Sequence, residues 1–214
     1  MRKKCSILLI ITGTVLIISA LFLCIYNIMH DQKSGEKAQE ILSELKSNIE
    51  VTQPSAEEYY NEILNQSDIF AQPTTEAKEV PQTVINGNSY AGYISMPTLG
   101  LELPVMSDWS YSYLDYSPCR YSGNAADNNL IIAAHNYSSH FRKIGLLNSG
   151  DTIYFTDADG NVYEYQVSYT ELIDGSDAAS MLSHTDNSWD LTLFTCTIDG
   201  QKRVTVRAVK VNAE

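Results

Sequence analysis

The chain has 214 residues and a formal net charge of −12, enough for one ordinary domain with appendages and hardly for two. Its first thirty residues hold Arg2, Lys3 and Lys4 and no acid, which leaves 11 basic against 26 acidic residues, a charge of −15, in the remainder. So acidic a body is repelled by phosphate backbones, which argues against nucleic acid as a partner.

From Ser6 to Met29 there are 24 residues without a charge, preceded by the basic flank and followed by His30 and Asp31. About 20 apolar residues suffice to cross a bilayer as a helix, and the basic end stays in the cytoplasm. A cleaved signal peptide starts the same way, but its apolar core is usually shorter, and no small-any-small cleavage site follows this one. The expectation is an uncleaved single-pass anchor over residues 1–30, with everything beyond His30 outside the cell.

Residues 31–85 are expected to be an extracellular stalk and linker. Ala38, Ile41, Leu42, Leu45 and Ile49 recur at helical spacing in a Glu-, Lys-, Gln- and Ser-rich stretch, which predicts an amphipathic, solvated helix rather than a coiled coil, since too few heptads are present. A second helix is expected over Ala56–Leu64 after Pro54, then a linker over residues 69–88 containing Pro73 and Pro81.

A folded domain is expected over residues 86–214. Short apolar or alternating runs, parted by turn residues, cover Tyr90–Met96, Leu101–Met106, Leu130–Ala134, Thr152–Thr156, Val162–Thr170, Leu191–Cys196 and Arg203–Val211. This spacing predicts a mostly β domain, a barrel or sandwich of about seven or eight strands. Asp157-Ala158-Asp159-Gly160-Asn161 has hairpin-turn chemistry. Short helices are expected over Phe141–Leu147 and Asp177–Leu182.

Of the four cysteines, only Cys119 and Cys196 lie in the body, so the domain is no disulfide scaffold. Cys196 ends a predicted strand, which would hold its sulfur at a loop mouth on a rigid element. A buried cysteine, or one bridged to Cys119, would satisfy the same pattern. His135 ends the strand Leu130–Ala134 about sixty residues upstream, a separation compatible with a spatial Cys–His pair. Arg203 starts the strand returning from Cys196; always charged and carrying forked donors, it suits an oxyanion rather than proton transfer. Arg207 shares the face of Arg203 but stands two pleats, about 13–14 Å, away, and Arg120 is a further arginine whose place the sequence leaves open. His140 and His184, flanked by polar residues, are expected at the surface, and Cys119 is expected to be a packed or idle thiol. Asp157, Asp159, Asp174 and Asp177 could form an acidic cluster, but acidic turns are ordinary in so negative a body and Asp157-Ala158-Asp159-Gly160 lacks the remaining ligands of a hand-type calcium loop, so no metal is expected.

Three of these pieces together resemble one family. Thr192-Leu193-Phe194-Thr195-Cys196 matches the Thr-Leu-any-Thr-Cys signature of sortases, the cysteine transpeptidases that attach proteins to Gram-positive cell walls. Asn129 to Asn136 resembles the family's strand ending in the catalytic histidine, and Arg203 matches its active-site arginine. Ala134 stands where the family usually carries glycine. The likeness spans about Tyr90 to Val211.

The resemblance implies a closed β-barrel in which Cys196 is the nucleophile, His135 the general acid/base and Arg203 the oxyanion stabiliser. Thr195, Ala134 and Asn136, beside the catalytic pair in sequence, are the candidate substrate-binding positions. It also implies cleavage of a C-terminal Leu-Pro-any-Thr-Gly-like (LPXTG-like) sorting signal between threonine and glycine. Transfer would be to a lipid-linked peptidoglycan precursor or a pilin amine at the outer face of the membrane. The twenty or so residues between Thr170 and Leu191 are too few for the long insertion of one major subclass, which leaves a compact, class D-like or class B-like member. A cysteine endopeptidase that resolves the thioester with water, and a surface binding module with Cys119 and Cys196 bridged, are the competing readings.

Overall fold

The computed structural model describes residues 2–51, 80–182 and 189–211; the expected helix over Ala56–Leu64, most of the linker and His184 lie outside them. Nine strands form one sheet: β1 (Thr83–Ile85), β2 (Asn88–Met96), β3 (Leu101–Met106), β4 (Cys119–Ser122), β5 (Leu130–Ala133), β6 (Thr152–Asp157), β7 (Val162–Asp174), β8 (Leu191–Cys196) and β9 (Lys202–Lys210). The order β2-β3-β4-β5-β8-β9-β7-β6 closes when β6 pairs with β2, giving an eight-stranded barrel. Two of its pairings, β3 with β4 and β5 with β8, are parallel; the rest are antiparallel. All seven strands expected from the sequence are present, with short helical turns over Phe141–Leu146 and, as α3, Ala178–Leu182. A further short helix, α2 (Tyr111–Leu114), is capped by the Ser110 side chain, which accepts from the Tyr113 N–H.

Closure depends on β2 serving two partners along one edge. Its first residues pair with β1 through a tight turn in which Asn86 and Gly87 both take positive φ, the signature of a type I′ hairpin. From Gly92 onward the same edge pairs with β6. A Cβ on Gly92 would stand 1.9 Å from the Thr156 carbonyl oxygen, so only glycine lets the two backbones approach here. Strand structure therefore begins at Thr83, within the stretch expected to be linker.

The barrel interior is filled by the inward positions of its strands, among them Ile94, Leu103, Ile132, Phe155, Leu193 and Val206, none more than 2% exposed. Each such side chain contributes about 1.5–3 kcal/mol by leaving water. β5, apolar at every position, is buried throughout, as expected of a strand with neighbours on both edges and elements over both faces.

The N-terminal segment differs from the expected solvated stalk. One helix, α1, runs from Arg2 to Asn48. From Ile10 to Met29 its large apolar side chains stand exposed, and among the described residues this is the helix long and apolar enough to cross a membrane. Beyond Asp31 the helix lies on the barrel against β1, β2 and β3. Ala38, Leu42, Leu45 and Ile49 are each at most 5% exposed, and Leu45 and Ile49 pack with Ile85, Tyr90, Met106, Leu114, Cys119 and Ala133. The stripe predicted as the apolar face of an exposed helix is instead covered by the domain itself.

Candidate active site

Two neighbouring strand ends build the site. β8 and β9 are antiparallel partners, and their register sets Cys196 directly opposite Arg203. β5 runs parallel to β8 on its other edge, with Ala133 opposite Phe194. The Ala134 N–H then donates to the Phe194 carbonyl at 3.2 Å, and the Thr195 hydroxyl donates to the Ala134 carbonyl at 2.8 Å. The residues immediately before His135 and Cys196 are thus tied to each other, so both catalytic candidates leave the barrel at one mouth. Thr195, 2% exposed, spends its hydroxyl on this tie. Its side chain is a buried brace, in keeping with its facing away from Cys196 along the strand.

His135, Cys196 and Arg203 line one cleft of about 240 Å³, together with Thr195 and Ala134. Asn136 instead lines a separate groove between α1 and the loop after β5, where its carbonyl accepts from Arg142. One wall of the cleft is aromatic: Trp109, Tyr121 and Phe194 meet edge to face, with centroids 5.4 and 5.3 Å apart. The opposite wall is the turn and helix after β7, including Asp177, Ala178 and Met181.

The imidazole of His135 is held by groups that sequence patterns do not single out. Its Nε2 faces Asp115 Oδ1 at 3.4 Å, and the Tyr137 hydroxyl donates to the same oxygen at 3.3 Å. The rings of His135 and Tyr137 are 4.9 Å apart. Burial pushes the His135 pKa down and outweighs Asp115, which pushes it up through charge and hydrogen bonding; the nearby His30 adds to the lowering. Asp115 is one acid among 26 and lies in an unpatterned Ser-Tyr-Leu-Asp-Tyr stretch.

The arginines separate clearly. Arg203 is partly exposed at the mouth, its Nη1 donating to the Gly200 and Lys202 carbonyls at 3.0 and 3.2 Å. Arg207, whose side chain is 3% exposed, is fully engaged: Nε with Glu171, Nη1 with Thr192 Oγ1 and the Met181 carbonyl, Nη2 with the Ser180 carbonyl, and its guanidinium over Trp189. It fastens α3, a wall of the cleft, to the barrel. Arg120 donates to the Ser107 and Gly123 carbonyls and does not line the cleft.

Cys119 and Cys196 are both free thiols. Cys119 is wholly buried, and burial pushes its pKa up to about 12, the packed thiol expected from the sequence. His140, expected at the surface, is 1% exposed, with Ser34 Oγ 3.1 Å from its Nε2. Its burial follows from α1 covering the loop that carries it. Asp174 and Asp177 are occupied locally. Asp174 accepts from Ser176, and Asp177 caps α3 by accepting from the Ser180 N–H. Asp157 organises its hairpin turn by accepting from Asp159, Asn161 and Tyr163. Among the described residues no group of His, Cys, Asp and Glu is arranged to hold a metal ion.

A sortase-domain family model matches residues 94–211, more than half of the chain. The chain belongs to the sortase family. That family is one of cysteine transpeptidases, and the matched region contains Cys196, His135 and Arg203. The barrel of this sortase resembles that of sortase D5, a transpeptidase of Clostridium perfringens, with a TM-score of 0.58 at 20% identity over 83% of this chain and 99% of that one. It also resembles a lid mutant of sortase A from Corynebacterium diphtheriae, with a TM-score of 0.50 at 19% identity over 86% and 95% of the two chains. A third likeness is to sortase C2 of Group B Streptococcus pilus island 1, with a TM-score of 0.50 at 19% identity over 56% and 73%. No curated protein matches the sequence.

Proposed function

We propose that this sortase is anchored by α1 at the outer face of the membrane and cleaves an LPXTG-like sorting signal between threonine and glycine, passing the threonine acyl group to an amine. His135 takes the thiol proton of Cys196 as Sγ attacks the threonine carbonyl carbon, and Arg203 holds the negative charge that develops on the carbonyl oxygen. His135 gives a proton to the departing glycine nitrogen as the C–N bond breaks, leaving a thioester on Cys196. The acceptor amine then attacks that thioester, His135 takes the proton it sheds, Arg203 again faces the oxyanion, and Cys196 departs. The energy of the peptide bond is conserved in the thioester, so no cofactor enters. With Nε2 turned to Asp115, Nδ1 is the ring nitrogen left for these transfers.

The observation that carries this reading is the convergence of Cys196, His135 and Arg203 on one cleft between an aromatic wall and α3. A peptidase that used water would share the first half of the chemistry. What favours the amine as the second nucleophile is membership of a transpeptidase family and an apolar helix that brings the site to the membrane, where sorting-signal substrates and a lipid-linked peptidoglycan precursor are held. A bridged binding module loses its footing, since both thiols are free.

The test is to incubate the full chain in detergent micelles with a library of fluorogenic Leu-Pro-any-Thr-any peptides, with and without an amine acceptor, beside Cys196→Ala. Amine-capped product that requires Cys196 is the expected result. Hydrolysed product alone, across varied amines, would favour the peptidase.

A further inference from the structure

The loop that follows the catalytic histidine is held on one side by the barrel and on the other by α1. Asp31, the first acid after the apolar run, is 8% exposed, and its carboxylate accepts four hydrogen bonds from this loop. They come from the backbone N–H of Ser138 and Ser139 at 2.9 and 3.1 Å and from their hydroxyls at 2.5 and 2.6 Å. Burial alone would raise the Asp31 pKa, but these donors prevail and hold it at about 2. Three residues along the helix, the Ser34 hydroxyl donates to the Asp115 carbonyl and meets His140 Nε2. One residue further, Gly35 faces Ser139 so closely that a Cβ on it would stand 2.7 Å from the Ser139 Cβ. Glycine inside a helix costs about 1 kcal/mol relative to alanine; this contact is the local reason for one here. On the preceding turn, His30 packs edge to face against Tyr137, which touches His135.

Ala38, Leu42, Leu45 and Ile49 already bury an apolar face of the helix against the barrel, so attachment does not rest on the polar contacts alone. A buried carboxylate loses much of its gain to desolvation. What such a carboxylate supplies is direction: four donors aimed at one group fix the path of a short loop far more tightly than apolar contact does. The donors fall three and four residues after His135, on the loop whose path sets the ring.

We propose that Asp31 is a positioning residue for His135, and that the turn of α1 bearing Asp31, Ser34 and Gly35 is a built-in latch on the catalytic loop. The inference rests on the transpeptidase reading of His135. It makes the segment emerging from the membrane one side of the active site's frame. The apolar run ends at Met29, and a helix rises 1.5 Å per residue, so the latch holds the catalytic loop within a turn of the anchor's end. The mouth is thereby presented at the membrane surface, at a height set by an unbroken helix instead of a loose tether.

The test uses the full chain in detergent micelles and the best peptide from the library, comparing Asp31→Asn, Ser138→Ala with Ser139→Ala, and all three together. Expected is a fall in kcat of about tenfold or more with KM within about twofold. The triple variant should be no slower than the slower of the other two, because both break one contact. Gly35→Leu, which wedges helix from loop without touching a hydrogen-bonding group, should reproduce the loss; Ser139→Ala alone covers the case in which Asp31→Asn does not fold. Unchanged kcat in a folded variant, or losses that multiply in the triple, would overturn the latch. Should the wild-type chain show no Cys196-dependent turnover, the functional reading fails on its own account. Amide hydrogen exchange at Ser138 and Ser139 then decides the latch, which requires protection in the wild type that Asp31→Asn removes.

Discussion

Arg203 and Arg207 stand four residues apart on one face of β9, yet their surroundings divide their work. Arg203 is partly exposed opposite Cys196, whereas every nitrogen of Arg207 is committed to Glu171, Thr192 or the carbonyls of α3. Arg203→Ala should lower kcat by about 10²–10³-fold, the usual cost of losing an oxyanion donor, with an unchanged melting temperature. Arg207→Ala should do the reverse. It leaves two helix carbonyls, Thr192 and a partly exposed carboxylate without their partner, a loss of about 2–3 kcal/mol, and lets α3 drift so that KM rises more than kcat falls. Thermal melts and Michaelis curves on both variants separate the two. Asp115→Asn makes a third case. Asp115 raises the pKa of His135 against the lowering by burial, so the variant's imidazole should titrate at lower pH, as followed by NMR, while kcat falls. That Cys196, His135 and Arg203 would meet at one mouth was legible because strand periodicity and a signature coincide at those positions. Asp115 was not, because its meeting with His135 depends on how α2 and the loop after β5 pack, which no local pattern records.

At the scale of elements, the strands were legible where apolar residues alternate, and β1 and β4 escaped for opposite reasons. β4 is a short Cys-Arg-Tyr-Ser stretch without alternation. β1 had its signal, an Asn-Gly turn between two extended triplets, but stood beside Pro81 in a stretch dominated by linker chemistry. The stripe on α1 was legible as amphipathic, whereas its partner was not, since a helix's apolar spacing is the same whether a barrel or another helix covers it. A chain beginning at Asn86 therefore lacks both β1 and the helix over Tyr90, Met106 and Leu114. It should melt lower and aggregate more readily than one beginning at His30. Leu45→Ala, in the full chain, should cost about 2–5 kcal/mol in urea denaturation; a loss under about 0.5 kcal/mol would mean that the helix does not stay docked in solution.

The whole molecule joins an apolar helical segment long enough to cross a membrane, a docked helix and a barrel, and the seam between the last two is sensitive to acid. His140 lies in that seam, its pKa pushed down to about 4 by burial first and by neighbouring His135 second. Unfolded, its imidazole titrates near 6.5, so between about pH 6.5 and 4 the unfolded chain binds a proton that the folded one refuses. Stability must fall as pH drops through that window, by on the order of 3 kcal/mol for a shift of this size, and His135 adds to it in the same direction. Asp31 acts lower down: with its pKa held at about 2, its contribution is complete above the ordinary carboxylate range and is lost as pH falls from about 4 towards 2. Acid should thus weaken the seam in two steps, first through the histidine and then through the latch. His140→Gln, neutral at every pH, should flatten the first step and leave the second. Urea midpoints at pH 7.5, 4.5 and 3 on the two chains test this. An equal fall from pH 7.5 to 4.5 in both would mean that His140 is not what the acid titrates, and would move the sensitivity to His135 and the mouth of the cleft.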